Sequence, residues 1–396
     1  MKKNLLFVIP SLSAGGGEKS LVNLLSQINY DLYNVDLFML NQEGIFMEFL
    51  PKQVNVLSLP ETYKLFSLPL LNSTWKLLQN RKLSLIYHRI IFTIKNKYIP
   101  EVSKREQHTW KQLSRSIDKF EKKYDAAIGF LEKTSTYLCI DKVDARQKIG
   151  WVHIDYDKLG MDPEFDFPYF KKLSRIVTVS EECANIFMKR FPSQSKKVDV
   201  IYNIVSPTII NKMANQKQED GYFKNSDDIT ILTIGRLHDQ KGLDIAIKAC
   251  KGLLEKGHKI KWYVIGEGDE REKLSNLIEE NKVGEHFKLL GLKSNPYPYL
   301  KHADIYVQSS RFEGKSIAID EAKILNKPIV VTDFSTAKDQ IENNVNGLII
   351  DMDSDGLIRG IEKLIMNPAL RNTFIQNLKK EKLGTEDEIN KLYKII

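Results

Sequence analysis

Ile229-Thr230-Ile231-Leu232-Thr233-Ile234 runs straight into Gly235-Arg236-Leu237-His238-Asp239-Gln240-Lys241-Gly242, and then into Leu243–Leu254, which is apolar at 243, 246, 247, 250, 253 and 254. The first six residues are β-branched or apolar without a break, which predicts a buried strand; the last twelve carry the 3.6-residue period of an amphipathic helix. A strand, a loop and a helix in that order predict an α/β unit with a parallel sheet. The loop holds two cations. Arg236 is suited to forked hydrogen bonds and Lys241 to acting as a point charge, so together they can neutralise a diphosphate. The alternative is two ordinary loop charges.

The same alternation continues downstream. Trp262–Ile265 reads as a strand ending in Gly266-Glu267-Gly268, where missing side chains would let a flat base approach the backbone. Asp304–Gln308 is a further apolar run, followed by Ser309-Ser310-Arg311-Phe312-Glu313-Gly314-Lys315-Ser316-Ile317-Ala318-Ile319-Asp320-Glu321-Ala322. This predicts a strand, a tight turn and a helix over Ser316–Leu325. The amides of Gly314, Lys315, Ser316 and Ile317 then stand at a helix N-terminus, which attracts phosphate. Glu321, about one and a half turns in, can reach the vicinal hydroxyls of a ribose, and Glu313 whatever lies beyond the phosphates. Two glutamates facing water on a helix surface is the competing reading, and it weakens once phosphate cations, base platform, phosphate turn and ribose carboxylate occur in that order.

The series GRL-x-x-QKG, GEG, SSRFEGKS-x-x-x-x-EA, KPIVVTD and NGLII resembles the nucleotide-binding half of family 4 retaining glycosyltransferases of the GT-B fold, especially bacterial enzymes of capsular and extracellular polysaccharide synthesis. The resemblance covers most of residues 228–370. It implies that Arg236 and Lys241 hold the donor diphosphate, Glu321 the nucleotide ribose and Glu313 the transferred sugar, with the amides of Lys315 to Ile317 on the phosphate. Many members have Phe-Gly or Phe-Pro after Glu-Gly, where this chain has Lys315-Ser316; the departure bears on sugar identity rather than on reaction class.

The N-terminal half predicts strands at Leu5–Ile9, Val35–Leu40, Val54–Leu57, Asp125–Phe130, Gln147–Val152, Ile176–Val179 and Val198–Tyr202, with helices such as Glu18–Ile28 and Glu181–Arg190 between them. In the C-terminal half strands are expected near 230, 262, 287, 304, 328 and 347. The expected architecture is therefore α/β: two doubly wound Rossmann-like domains facing each other across a cleft, the GT-B arrangement. The resemblance implies that residues 1–205 form the acceptor-binding domain, 206–228 a polar linker and 229–380 the nucleotide-sugar domain. Residues 381–396 hold a last helix that the resemblance would carry back to the first domain.

Ser11-Leu12-Ser13-Ala14-Gly15-Gly16-Gly17-Glu18-Lys19 opens a helix after the first strand. It is no dinucleotide fingerprint, because position 20 is Ser20, and no Walker loop, because Glu18 precedes Lys19. By resemblance, Gly15, Gly16 and Gly17 face the donor phosphate or the acceptor. His153 and Asp155 follow the strand Gln147–Val152, at the carboxyl end where doubly wound folds bind ligands, so they are candidates for the transferred sugar or the acceptor; a structural His153 is the rival reading. Asp351-Met352-Asp353 and Asp353-Ser354-Asp355 match the Asp-x-Asp of metal-dependent transferases, yet Asp353 or Ser354 is more simply the N-cap of a helix over Leu357–Ile365. No metal and no cofactor is expected, the nucleotide sugar being a co-substrate.

The net charge of +8 is concentrated. Between Glu61 and Lys123 stand 14 Lys or Arg against 5 Asp or Glu, interleaved with Leu, Ile, Trp, Tyr and Phe at helical spacing. This suits a helix lying on an anionic membrane surface; the alternative is an apolar face packed on the core beneath a solvated basic one. No nucleic-acid motif occurs. Cys139, Cys183 and Cys250 are scattered, and the stretch Leu5–Ile9, broken by Pro10, is too short for a signal or a span, so a cytoplasmic protein peripheral to the inner membrane face is expected. The expected reaction moves a hexose from a nucleotide diphosphate, taken as uridine-based, to a hydroxyl of a lipid-linked glycan. A nucleotide-sugar epimerase, a phosphorylase or a non-catalytic docking subunit are the rival functions.

Overall fold

The computed structural model describes residues 2–13, 15–217 and 228–396. The chain divides into two compact units. One comprises Met1–Ser13, Leu21–Tyr202 and Glu388–Ile396; the other comprises Ala14–Ser20 and Asn203–Asp387.

The first unit is built on seven parallel strands, β1 (Lys3–Ile9), β2 (Tyr33–Met39), β3 (Val54–Val56), β4 (Tyr124–Phe130), β5 (Ala145–Val152), β6 (Arg175–Thr178) and β7 (Val198–Val200), in the order β3-β2-β1-β4-β5-β6-β7. Helices cover both faces of such a sheet, which is why Leu5-Leu6-Phe7-Val8-Ile9 is apolar throughout and almost wholly buried. Leu5 lies opposite Val35 on one side and Ala126 on the other, so β1 is an interior strand. The crossover from β3 to β4 carries the basic segment as four helices, Glu61–Ser67, Leu70–Gln79, Leu83–Tyr98 and Val102–Leu113. Their inner faces bury Tyr63, Phe66, Leu77, Leu85 and Trp110. Arg89 is buried with them, its guanidinium 5.6 Å from the ring centroids of both Phe66 and Phe92 and donating to the Leu68 carbonyl at 2.9 Å. The last helix, Ile389–Ile395, belongs to this unit: Tyr393 stacks on Tyr33 at 5.1 Å and accepts from the Asn29 amide at 2.8 Å.

The second unit has six parallel strands, β8 (Ile229–Ile234), β9 (Ile260–Ile265), β10 (Phe287–Leu289), β11 (Ile305–Gln308), β12 (Ile329–Thr332) and β13 (Leu348–Ile350), in the order β10-β9-β8-β11-β12-β13. Each falls where the apolar runs place it. Trp262 fills one side of the sheet, with its indole N–H donating to Thr233 Oγ1 at 3.0 Å, so this large side chain is buried without an orphaned donor. Within the expected linker 206–228, Pro207–Ala214 is an α-helix, and residues 218–227 lie outside the described residues.

Candidate functional site

In an open parallel sheet, ligands bind beyond the strand ends where the winding direction reverses. In the second unit that point lies between β8 and β11, which pair with Ile231 opposite Ile305. Lys241 stands on the 3-10 turn Asp239–Lys241 after β8, and Glu313 on the loop after β11. The two side chains meet there: Lys241 Nζ donates to Glu313 Oε1 at 2.5 Å, and both are largely buried. The same oxygen accepts from Ser310 Oγ at 2.6 Å and Gln308 Nε2 at 2.9 Å, and Gln308 in turn accepts from the Tyr306 hydroxyl at 2.5 Å. Burial, reinforced by the charges of Glu321 and Glu313, holds that hydroxyl protonated well beyond its ordinary range. Three donors on one oxygen satisfy a carboxylate that would otherwise be costly to bury, and they fix its direction. Gly242, in the left-handed region at φ 58°, follows Lys241; a Cβ there would stand 2.1 Å from the Ser309 carbonyl oxygen, so the turn carrying Lys241 can lie against the β11 loop only with glycine. Arg236 is half-exposed, with Nη2 3.6 Å from Glu18 Oε1.

Glu321 is buried on the helix Ile317–Ile324, which opens at Ser316. Its Oε1 accepts from the Tyr297 hydroxyl at 2.9 Å and forms an ion pair with Lys19. Burial alone would lower the Lys19 ammonium, but the Glu321 carboxylate and Tyr297 beside it outweigh that and raise it above its ordinary value. Lys19 is thus a site residue that the failed Walker pattern gave no reason to choose, and Tyr297 had no sequence signal at all. At the helix opening, the Ser316 side chain makes no cap. The Ser316 amide, one of the expected phosphate donors, already gives its hydrogen to Gln340 Oε1 at 2.9 Å, while Gln340 Nε2 donates to the Ser316 carbonyl and to Asp320 Oδ1, both at 2.8 Å. Lys315 Nζ lies 3.6 Å from Asp320 Oδ2.

The Gly-Glu-Gly platform has a reason of its own. A Cβ on Gly266 would come within 1.9 Å of the Gly235 carbonyl oxygen, and one on Gly268 within 2.2 Å of that of Leu237. These glycines let the β9 turn pack on the β8 turn, which carries Arg236. At Gly15 a Cβ would meet the Glu18 carboxylate at 2.0 Å, the movable end of a side chain rather than backbone. Gly16 and Gly17 form the first turn of the helix Gly16–Gln27, and nothing lies within 4 Å of where a Gly16 Cβ would be. Asp353 is an N-cap, accepting from the Gly356 amide at 2.6 Å, and Asp351 pairs with Arg359 at 2.6 Å. Among the described residues no group of three or more His, Cys, Asp and Glu is gathered as metal ligands would be. A cavity of about 850 Å³ beside β12 and β13 includes neither Lys241, Glu313 nor Glu321.

In the first unit His153 and Asp155 follow β5. Both His153 ring nitrogens are buried without a hydrogen-bond partner, and burial lowers the imidazole to about 3, so it is neutral. Its ring lies against Phe130, centroids 4.6 Å apart. Its backbone amide donates to the buried carboxyl of Glu132, which sequence reading passed over; burial raises that carboxyl. Glu132 is flanked by Leu131 at φ 119° and Lys133 at φ 62°, two non-glycine residues in the left-handed half of conformational space. Strain of this kind persists where surrounding contacts enforce it, often beside a functional site. Asp155 is buried and accepts from the Asp157 amide at 3.1 Å, shaping the turn that follows. A cavity of about 360 Å³ lies at the β1/β4 reversal of this sheet, lined by Pro10, Thr134, Phe92 and Arg105 among others.

Residues 214–381 match the family Glycosyl transferases group 1. An uncharacterized glycosyltransferase of Methanocaldococcus jannaschii is 30% identical over 230 residues, 56% of this chain and 55% of that protein. The N-acetylgalactosamine-N,N'-diacetylbacillosaminyl-diphospho-undecaprenol 4-alpha-N-acetylgalactosaminyltransferase of Campylobacter jejuni is 26% identical over 222 residues, 56% of this chain and 58% of that enzyme. The chain spans about half the length of the curated relatives it matches. Among solved structures, a glycosyltransferase from Rickettsia africae superposes with a TM-score of 0.69 at 16% identity, covering 100% of this chain and 97% of that one. An Anabaena protein in complex with UDP gives 0.68 at 16% identity over 100% and 98%. The fold is thus the α/β, two-sheet GT-B fold that the sequence led us to expect.

Proposed function

From the match of residues 214–381 to the glycosyl transferases group 1 family, we propose that the chain is a glycosyltransferase moving a hexose from a UDP-linked donor to a hydroxyl of a lipid-linked glycan in surface polysaccharide synthesis. The observation that carries this is the meeting of Lys241 and Glu313 at the reversal point of the second sheet, beside the helix that bears Glu321. A leaving diphosphate gains negative charge in the transition state, and Arg236, Lys241 and the amides opening the helix Ile317–Ile324, apart from the Ser316 amide that Gln340 occupies, are the groups that would stabilise it. A diphosphate reaching Lys241 competes with Glu313 for the ammonium. Glu313, still held by Ser310 and Gln308, then presents its carboxylate to the sugar. Lys19 and Tyr297 hold Glu321 oriented for the ribose hydroxyls. A UDP-bound relative by fold and a relative named for a diphospho-undecaprenol acceptor favour this donor and acceptor class.

We read the reaction as retaining and metal-independent. The leaving phosphate takes the acceptor's proton on the same face, and cations with helix amides balance its charge. The work would be done at the inner face of the membrane, with the first unit holding the acceptor. Calorimetric titration of UDP tests the donor site: the parent should bind, and Arg236→Ala and Glu321→Ala should each weaken binding by about tenfold or more, the loss of one charge-assisted contact. If both variants bind UDP as the parent does, the assignment fails. Incubation with a UDP-sugar alone separates the classes, since an epimerase would convert its donor without acceptor.

A further inference from the structure

The helix Leu70–Gln79 leaves Leu71, Trp75 and Leu78 in solvent, the first 83% and the second 62% exposed. These positions follow one another at four and three residues and make one stripe. The next helix, Leu83–Tyr98, repeats the pattern: Leu83, Tyr87, Ile90, Ile94 and Tyr98 are all exposed, at intervals of four, three, four and four. Nine of the seventeen exposed large apolar side chains among the described residues fall between 71 and 102, so this is a patch and not scatter. Nor is it a mispacked core. The same two helices turn Leu77, Leu85 and Arg89 inward, and Arg89 is pinned between two rings and a carbonyl.

Charge identifies the occupant. From Leu70 to Pro100 the sequence has six Lys or Arg and no Asp or Glu, and Lys76, Arg81, Lys82 and Lys97 are exposed around the stripes. A second copy of this face would bring four exposed like charges against four. An anionic bilayer offers the opposite sign, an apolar layer for the aliphatic stripe and an interfacial zone for Trp75, Tyr87 and Tyr98. No helix among the described residues is long and apolar enough to cross a membrane, so the face lies on the surface rather than through it. We propose that the outer face of Leu70–Gln79 and Leu83–Tyr98 docks this protein on a bilayer rich in anionic lipid. Phe92 and Asn96 on the second helix also wall the cavity at the β1/β4 reversal, which ties the docking face to a pocket at the strand ends.

Docking needs neither a nucleotide sugar nor turnover, so its failure and that of the transferase assignment are separately visible. The full chain is sedimented with vesicles of phosphatidylcholine alone or with added phosphatidylglycerol, while tryptophan emission is recorded. Trp110, Trp151 and Trp262 are buried, so a blue shift reports on Trp75. The expected result is binding with a blue shift on phosphatidylglycerol vesicles, weakened by salt, and weak binding to phosphatidylcholine. Trp75→Glu with Ile90→Glu should reduce binding by about tenfold or more, while Lys76→Glu with Lys82→Glu should abolish the preference for the anionic lipid. Unchanged melting temperature and UDP affinity in both variants would show that the fold is intact. Absence of binding by the parent, equal binding to both vesicles, or a parent dimer that Trp75→Glu with Ile90→Glu dissociates would overturn the proposal.

Discussion

Lys241 and Glu313 show how much one buried pair controls. Lys241→Met leaves the Glu313 carboxylate in place with its neutral donors but without its cation, and breaking a buried pair from one side costs about 3 kcal/mol. Chemical denaturation should show a loss of that order, with weaker UDP binding; a variant as stable as the parent would mean that Gln308 and Ser310 suffice for the charge. His153 gives a pH prediction. Its folded imidazole is held down to about 3 by burial, whereas an unfolded one takes a proton near its ordinary value of about 6.5. Below about pH 6 the unfolded chain therefore binds a proton that the folded chain refuses. Stability falls by about 1.4 kcal/mol per pH unit until the folded value is reached. Glu132, raised by burial, works in the opposite sense as it gains its proton, and it is present in both proteins compared. His153→Gln should lose less melting temperature than the parent between about pH 6 and about pH 4; equal slopes would show that the folded imidazole protonates after all.

At the scale of elements, the site is made by turns pressed against turns. Gly242, at φ 58° and with the Ser309 carbonyl where a Cβ would go, is the contact of this kind that adjoins Lys241. Gly242→Ala must shift either the turn or the β11 loop, and should cost more than the ~1 kcal/mol of an unfavourable φ alone. Urea denaturation reads the loss, and UDP titration should show that Lys241 has moved; full affinity in a destabilised variant would separate the turn from donor binding. The four helices of the β3–β4 crossover show two faces. Phe66, Leu77 and Leu85 go to the core, as the core-packing reading of the basic segment has it, while Leu71, Trp75 and Ile90 stay outside.

At the scale of the molecule, the last helix is the piece of chain farthest in sequence from the strands it supports. Leu392 is fully buried and Tyr393 stacks on Tyr33, so deletion of 388–396 should lower the stability of the first unit by about 3 kcal/mol or more, judged by the apolar burial of two such side chains. UDP binding, which rests on residues of the second unit, should survive at temperatures below the new transition; its complete loss would show that the second unit depends on the helix. Transfer should proceed unchanged after chelation of divalent metal, and a rate restored only by added metal would refute the proposed charge balance.

Strands such as β1, β8, β11 and β12 were legible because they are largely apolar or β-branched runs between turn residues, the composition that burial on both faces requires, whereas β2, β3, β5 and β7 carry polar residues within them. The order of Arg236, Lys241, Glu313 and Glu321 along the chain was legible for a related reason, since each sits at a fixed offset from such a run. Partnership was not. That Lys19 and Tyr297 share Glu321, that Gln340 takes the Ser316 amide, and that Glu132 holds His153 are contacts between residues separated by 20 or more positions, chosen by the packing of whole elements. Local periodicity carries no record of them. In this protein the sequence determined which segments are strands and helices and where its charges stand, while tertiary structure decided which charges are buried together, because desolvation and pairing arise only once the sheets are assembled.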